Sequence, residues 1–105
     1  MNKSEELFHQ IVGEIPDSIE GKMFGALCIK SMNGKAAAIL WKDNMLFKLD
    51  KKAQHEALKL NGSRIASHLY AQDKPMKGWV SLPFKQSGKW PDLTKKAVAF
   101  VKTLE

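Results

Sequence analysis

Two short apolar runs, residues 24–30 and 35–41, flank the pair Asn33-Gly34. Both residues tolerate positive φ, so the pair predicts a two-residue type I′ turn and an antiparallel hairpin. A second tight turn at Asp43-Asn44 leads into Met45-Leu46-Phe47-Lys48-Leu49. Three strands joined by turns this short form an antiparallel meander. The run Ala36-Ala37-Ala38 gives part of that meander a low surface on which a helix packs closely.

Helical signals surround the meander. Leu7, Phe8, Ile11, Val12 and Ile15 recur at three- and four-residue spacing, making one apolar stripe. Ser4 is the expected N-cap, Glu5 and Glu6 suit the positive end of the helix dipole, and Pro16 ends the helix. Asp50 is expected to cap a second helix over residues 51–60, stopped by Asn61-Gly62. Another hairpin is expected from strands at 67–71 and 77–82, turning through Asp73-Lys74-Pro75. A polar loop at 85–89 then leads to a last helix, with Pro91 in its first turn and Leu93, Ala97, Phe100, Val101 and Leu104 on one face. The expected fold is α+β: a five-stranded antiparallel sheet with helices on one face, in the order α-β3-α-β2-α. A chain of 105 residues makes one such domain, 1–105.

Bulk composition narrows the function classes. The longest apolar run, residues 36–41, is too short to span a bilayer. The N-terminal residues lack the apolar stretch of a secretory signal. Cys28 is the single cysteine, which excludes an intrachain disulfide and fits a reducing compartment, so a cytoplasmic location is expected. The net charge of +6 is unevenly spread: residues 1–20 carry one lysine against five acids, while the surplus lies beyond them. Sixteen of the seventeen basic residues are lysine. Lysine acts as a point charge and reads base edges poorly, so any nucleic-acid contact is expected to be weak and non-specific.

Reaction chemistry finds little support. His9, His55 and His68 fall on three different elements, none with a partner at metal-ligand spacing. Cys28 lies between Leu27 and Ile29, where a buried thiol without a neighbouring base stays inert. Gly21-Lys22-Met23-Phe24-Gly25 has neither the spacing nor the following helix of a phosphate-binding loop. No catalytic, metal or cofactor site is expected, and the chain reads as non-enzymatic. The candidate binding surface is instead a pair of segments where large apolar residues sit beside lysine and glycine. These are Lys22, Met23, Phe24 and Gly25, expected to open the first strand, and Met76, Lys77, Gly78 and Trp79, with Trp90 nearby. Methionine and tryptophan are favoured in binding surfaces, and glycine lets another chain approach closely.

The same two segments carry a family resemblance. Lys22-Met23-Phe24-Gly25 followed by strands around Asn33-Gly34, and Pro75-Met76-Lys77-Gly78-Trp79-Val80 at this separation, resemble the N-terminal domain of TfoX/Sxy proteins. The likeness runs from about Leu7 to the closing helix. It implies a secretion-chaperone-like α+β fold in a bacterial regulatory protein, a stand-alone form of the domain that competence regulators combine with a second, helical one. It implies no catalytic residues. The function expected is that of a binding or regulatory module whose partner is a protein or a second copy of the chain, without a membrane. The alternatives are a weak nucleic-acid binder, or a small-ligand-binding protein or enzyme with a pocket near Met23, Phe24, Met76 and Trp79.

Overall fold

A computed structural model describes residues 3–68 and 71–104. The order of elements is α1 (Lys3–Glu14), β1 (Ser18–Met23), β2 (Ala26–Ser31), β3 (Ala36–Trp41), β4 (Asn44–Lys48), α2 (Lys51–Ala57), β5 (Arg64–His68), β6 (Ala71–Pro83), a 3₁₀ segment (Phe84–Lys89) and α3 (Trp90–Lys102). The strands form one antiparallel six-stranded sheet in the order β1-β2-β3-β4-β6-β5. The α+β class therefore stands, with six strands in place of the expected five.

The additional strand is β1. Its sequence, Ser-Ile-Glu-Gly-Lys-Met, offers few apolar positions, as suits a strand that pairs with β2 alone among the described residues. Phe24 and Gly25, expected to begin the next strand, form the turn between β1 and β2 instead. Both have positive φ, 55° and 80°, which makes this the type I′ hairpin. The turn at Asn33-Gly34 is of another kind. Ser31 O accepts from the Gly34 N–H at 2.9 Å, Ser31 N–H donates to Lys35 O at 3.0 Å, and only Gly34 has positive φ. Asn33 is thereby released to lock the far end of α3, donating through Nδ2 to Val101 O at 2.9 Å and Leu104 O at 3.2 Å.

The β3–β4 turn falls on Lys42 and Asp43, one residue before the expected position, with φ of 48° and 63°. A non-glycine residue is disfavoured there, and a side-chain bond helps hold the turn. Ser4 Oγ donates to Asp43 Oδ1 at 2.6 Å. Ser4 thus lies inside the first turn of α1 and ties that helix to the sheet rather than capping it. Asp50 does cap α2, accepting from Ala53 N–H at 2.8 Å. The helix stops earlier than expected, at Ala57, and a turn ending on Gly62, with φ of 85°, returns the chain to β5.

The second hairpin also differs from expectation. His68 pairs with Ala71, so residues 73–75 lie within β6 and not in the turn. Pro75 is tolerated because β4 pairs with β6 only from Trp79 to Pro83. At Pro75 the strand has β5 alone as a neighbour, an edge position that needs no second donor.

Cross-strand register fixes which side chains share a face. One row runs Glu20–Ile29–Ala38–Phe47–Val80–Ile65. Its buried members join the main core with Phe8 and Ile11 of α1, Ala57 of α2, and Trp90, Leu93, Ala97 and Val101 of α3. All three helices therefore cover the same side of the sheet.

Candidate functional site

The opposite face of the sheet carries no helix among the described residues. Its central row is Gly21–Cys28–Ile39–Leu46–Ser81–Arg64, crossing all six strands. Cys28, Ile39, Leu46, Ala26, Ala66 and Trp79 form a second apolar cluster there, each at most 9% exposed. Met23, Trp41, Met76 and Ala36 pack against it while keeping part of their surface in water. Ile19 lies on the same face through its pairing with Lys30 and is 44% exposed.

Among the described side chains, charge on this face has one sign. Lys30 stands opposite Ile19, Lys48 opposite Trp79, and Arg64 opposite Ser81. The described acidic side chains lie elsewhere. Glu5, Glu6 and Glu14 are on α1, Asp17 and Asp43 are in turns, Asp17 paired with Lys102 of α3, and Asp50 caps α2. Glu56 and Asp92 are on α2 and α3, and Glu20 is on the helix side of β1. Two glycines explain how the lysines fit. A Cβ on Gly21 would stand 3.2 Å from Lys30 Cε, and one on Gly78 would stand 2.8 Å from Lys48 Nζ. Each lysine stem therefore lies flat across a neighbouring strand, its apolar carbons covering the sheet and its ammonium at the surface. Lys48 Nζ also donates to Lys77 O at 3.3 Å.

The segments singled out from the sequence divide across this geometry. Met23, Met76 and Trp79 share the helix-free cluster, although they come from β1 and β6. Gly78 matters through its conformation, φ 88°, and its contact with Lys48. Phe24, 49% exposed, and Gly25 sit in the β1–β2 turn. Lys22 points to the helix side of β1, opposite Leu27, and Lys77 is exposed. Trp90 belongs to the other side, wholly buried beneath α3. Sequence reading missed Ile19, Lys30, Trp41, Lys48 and Arg64 as members of the surface. The alternation of Ile39 and Trp41 in β3 was the available signal for Trp41; the cations needed the register.

Two concave spaces among the described residues lie away from the centre of this face. An opening of about 280 Å³ adjoins Gly25 and Trp41, bounded by Glu5, Lys42 and Asp43. A groove of about 570 Å³ runs between α2 and α3, floored by Ala53 and Phe100 and edged by Asp50, Glu56 and Lys96. Neither brings a histidine or the cysteine to its wall. Among the described residues no group of three or more His, Cys, Asp or Glu is placed to hold a metal ion. His9 Nδ1 donates to Glu20 Oε1 at 2.8 Å on the surface between α1 and β1. His55 is exposed on α2, and the side chain of His68 lies outside the described residues. No described helix is long and apolar enough to cross a membrane.

Cys28 is fully buried. Burial pushes its thiol pKa up, and the nearby Lys30 charge and Gly21 N–H offset this only in part. A neutral, enclosed thiol is a poor nucleophile. Alkylation by iodoacetamide at pH 8 is therefore expected to run at least about a thousandfold slower in the folded protein than in denaturant, since reaction requires opening of the core. Rapid native-state labelling, read by mass spectrometry, would contradict this placement.

A comparison of the chain with protein-family models, with curated proteins and with solved structures returned no match.

Proposed function

We propose that the chain is a non-enzymatic binding or regulatory module that meets a protein partner with the helix-free face of its sheet. One observation carries this reading: Met23, Trp41 and Met76 stay partly exposed over a buried apolar cluster, on the side of the sheet that no described helix covers. Half-exposed methionine and tryptophan over a rigid, packed base suit an interface centre, where anchors are ordered before binding. The segments behind the TfoX/Sxy resemblance both feed this face, which supports reading the chain as a TfoX/Sxy-like, secretion-chaperone-like domain acting in the cytoplasm.

The test is affinity capture from native lysate with the wild-type chain and with a Met23→Glu/Met76→Glu variant of unchanged circular dichroism. The expected result is a nuclease-resistant protein partner held by the wild type and released by the variant. Equal retention by both, or retention by neither, refutes the reading. A second reading rests on the one-signed charge of the same face: Lys30, Lys48 and Arg64 would meet phosphates. In that case affinity for single-stranded nucleic acid falls with salt at a log–log slope of about −2. No binding at low salt ends that alternative.

A further inference from the structure

Strand β1 ends the sheet, and its outer edge carries a self-complementary pattern. The Phe24-Gly25 turn makes Met23 and Ala26 the closing pair of the hairpin. In a two-residue hairpin that pair exchanges backbone hydrogen bonds, and bonding then alternates along the strand. Met23, Gly21 and Ile19 therefore face β2 with their backbone groups, while Lys22, Glu20 and Ser18 present theirs outward. The side chains alternate as well. Ile19, Gly21 and Met23 share the helix-free face with Lys30, Cys28 and Ala26, whereas Glu20 and Lys22 lie on the helix side.

We propose that two copies of this chain join through β1, antiparallel, about a two-fold axis at Gly21. In this register Glu20 stands opposite Lys22 of the second copy and Lys22 opposite its Glu20. The outward backbone groups of these residues meet in two hydrogen-bonded pairs. Ile19, 44% exposed in the single chain, meets Met23 across the axis on the helix-free side. Gly21 meets Gly21 at the centre, a non-hydrogen-bonded position where strands come closest and side chains crowd most. Isologous contacts of this kind require every group to face its own complement, and the sequence Ile-Glu-Gly-Lys-Met satisfies that about its glycine.

The two neighbouring registers are closed by charge. Backbone parity allows slips only in steps that keep outward groups opposite outward groups. The neighbouring steps place Glu20 against Glu20 or Lys22 against Lys22. Like charges directly opposite are destabilising in a sheet. An edge lysine ordinarily deters strand pairing; here Glu20 of the second copy neutralises it in one register alone. Glu20 already accepts from His9 through Oε1, and a carboxylate accommodates a second donor. The joined sheets would present two helix-free faces side by side. Met23 belongs to both surfaces, but Glu20 and Lys22 lie on the helix side, so reversing their charges tests this interface without touching the helix-free face.

Sedimentation equilibrium across the micromolar range tests the arrangement on the wild type, Glu20→Lys, Lys22→Glu and the double exchange. The expected wild-type species has twice the 11.8 kDa mass of the chain. Each single reversal raises the dimer Kd by about tenfold or more, since two attractive pairs become repulsive. The double exchange restores the wild-type Kd, and an equimolar mixture of the two single variants forms a heterodimer. A wild type that stays monomeric overturns the proposal, as does a dimer indifferent to both reversals or one that the double exchange fails to restore. Lys22→Glu leaves the His9–Glu20 hydrogen bond in place, so it decides the matter if Glu20→Lys fails to fold.

Discussion

Trp90→Ala is expected to remove about 3–5 kcal/mol of stability, the range for truncating a large buried aromatic. Trp90 opens α3 and has no exposed surface. Its ring meets Phe84 edge-on, with centroids 5.6 Å apart and planes at 82°, a favoured aromatic geometry. Its carbonyl accepts from Thr94 Oγ1 at 2.7 Å, which also satisfies that buried hydroxyl. Alanine would leave a void between the 3₁₀ segment, α3 and the sheet. A domain of this size is stabilised by only about 5–15 kcal/mol, so Tm should fall by roughly 15 °C or more. Urea denaturation followed by far-ultraviolet dichroism measures the loss. Trp90→Phe separates ring from polar handle. The indole Nε1 is buried without a hydrogen-bond partner among the described residues, so phenylalanine discards a desolvated donor along with some volume. It should cost much less than alanine. Equal losses for the two variants would show that the N–H is satisfied.

The sequence made the helices legible because each carries a local signal that the fold then uses. The stripe of α1 became Phe8 and Ile11 in the core, the Asp50 cap formed, and Pro91 took its place in the first turn of α3. Strands β2 to β4 were legible for the same reason: they are apolar on both faces, and both faces are packed. Strand β1 was not, since among the described residues its outer edge is unpaired and its one branched apolar residue, Ile19, is exposed. Its turn depends on Phe24 at φ 55°, and nothing in phenylalanine prefers that conformation. Pro75 misled in the opposite way. Proline reads as a turn residue, yet β6 outruns β4 and leaves an edge position that proline occupies without cost. The candidate surface was legible as far as Met23, Met76 and Trp79. Its cations were not, because whether a lysine shares a face with a tryptophan depends on register, and register here is set by turns whose types differ from the expected ones.

Phe47→Ala should also cost about 3–5 kcal/mol, and a second substitution should recover part of the loss. Phe47 is fully buried at the centre of β4. On the helix side of the sheet it stands between Ala38 of β3 and Val80 of β6. Helix α3 lies over β2, β3 and β4 and brings Ala97, also fully buried, to the same core. The small Ala38 side chain makes room for the Phe47 ring beneath that helix, an alternation of large and small that close packing demands. Ala38→Leu alone overfills the site and should cost about 1–3 kcal/mol. With Phe47→Ala in place, the leucine instead grows into the vacated volume. The double variant should then be more stable than Phe47→Ala, and the two penalties should fall short of additivity by about 1–2 kcal/mol, as for residues in contact. Strictly additive losses in chemical denaturation would mean that Ala38 and Phe47 do not share the space, and that the alanine run of β3 serves some purpose other than seating α3 over its neighbour's ring.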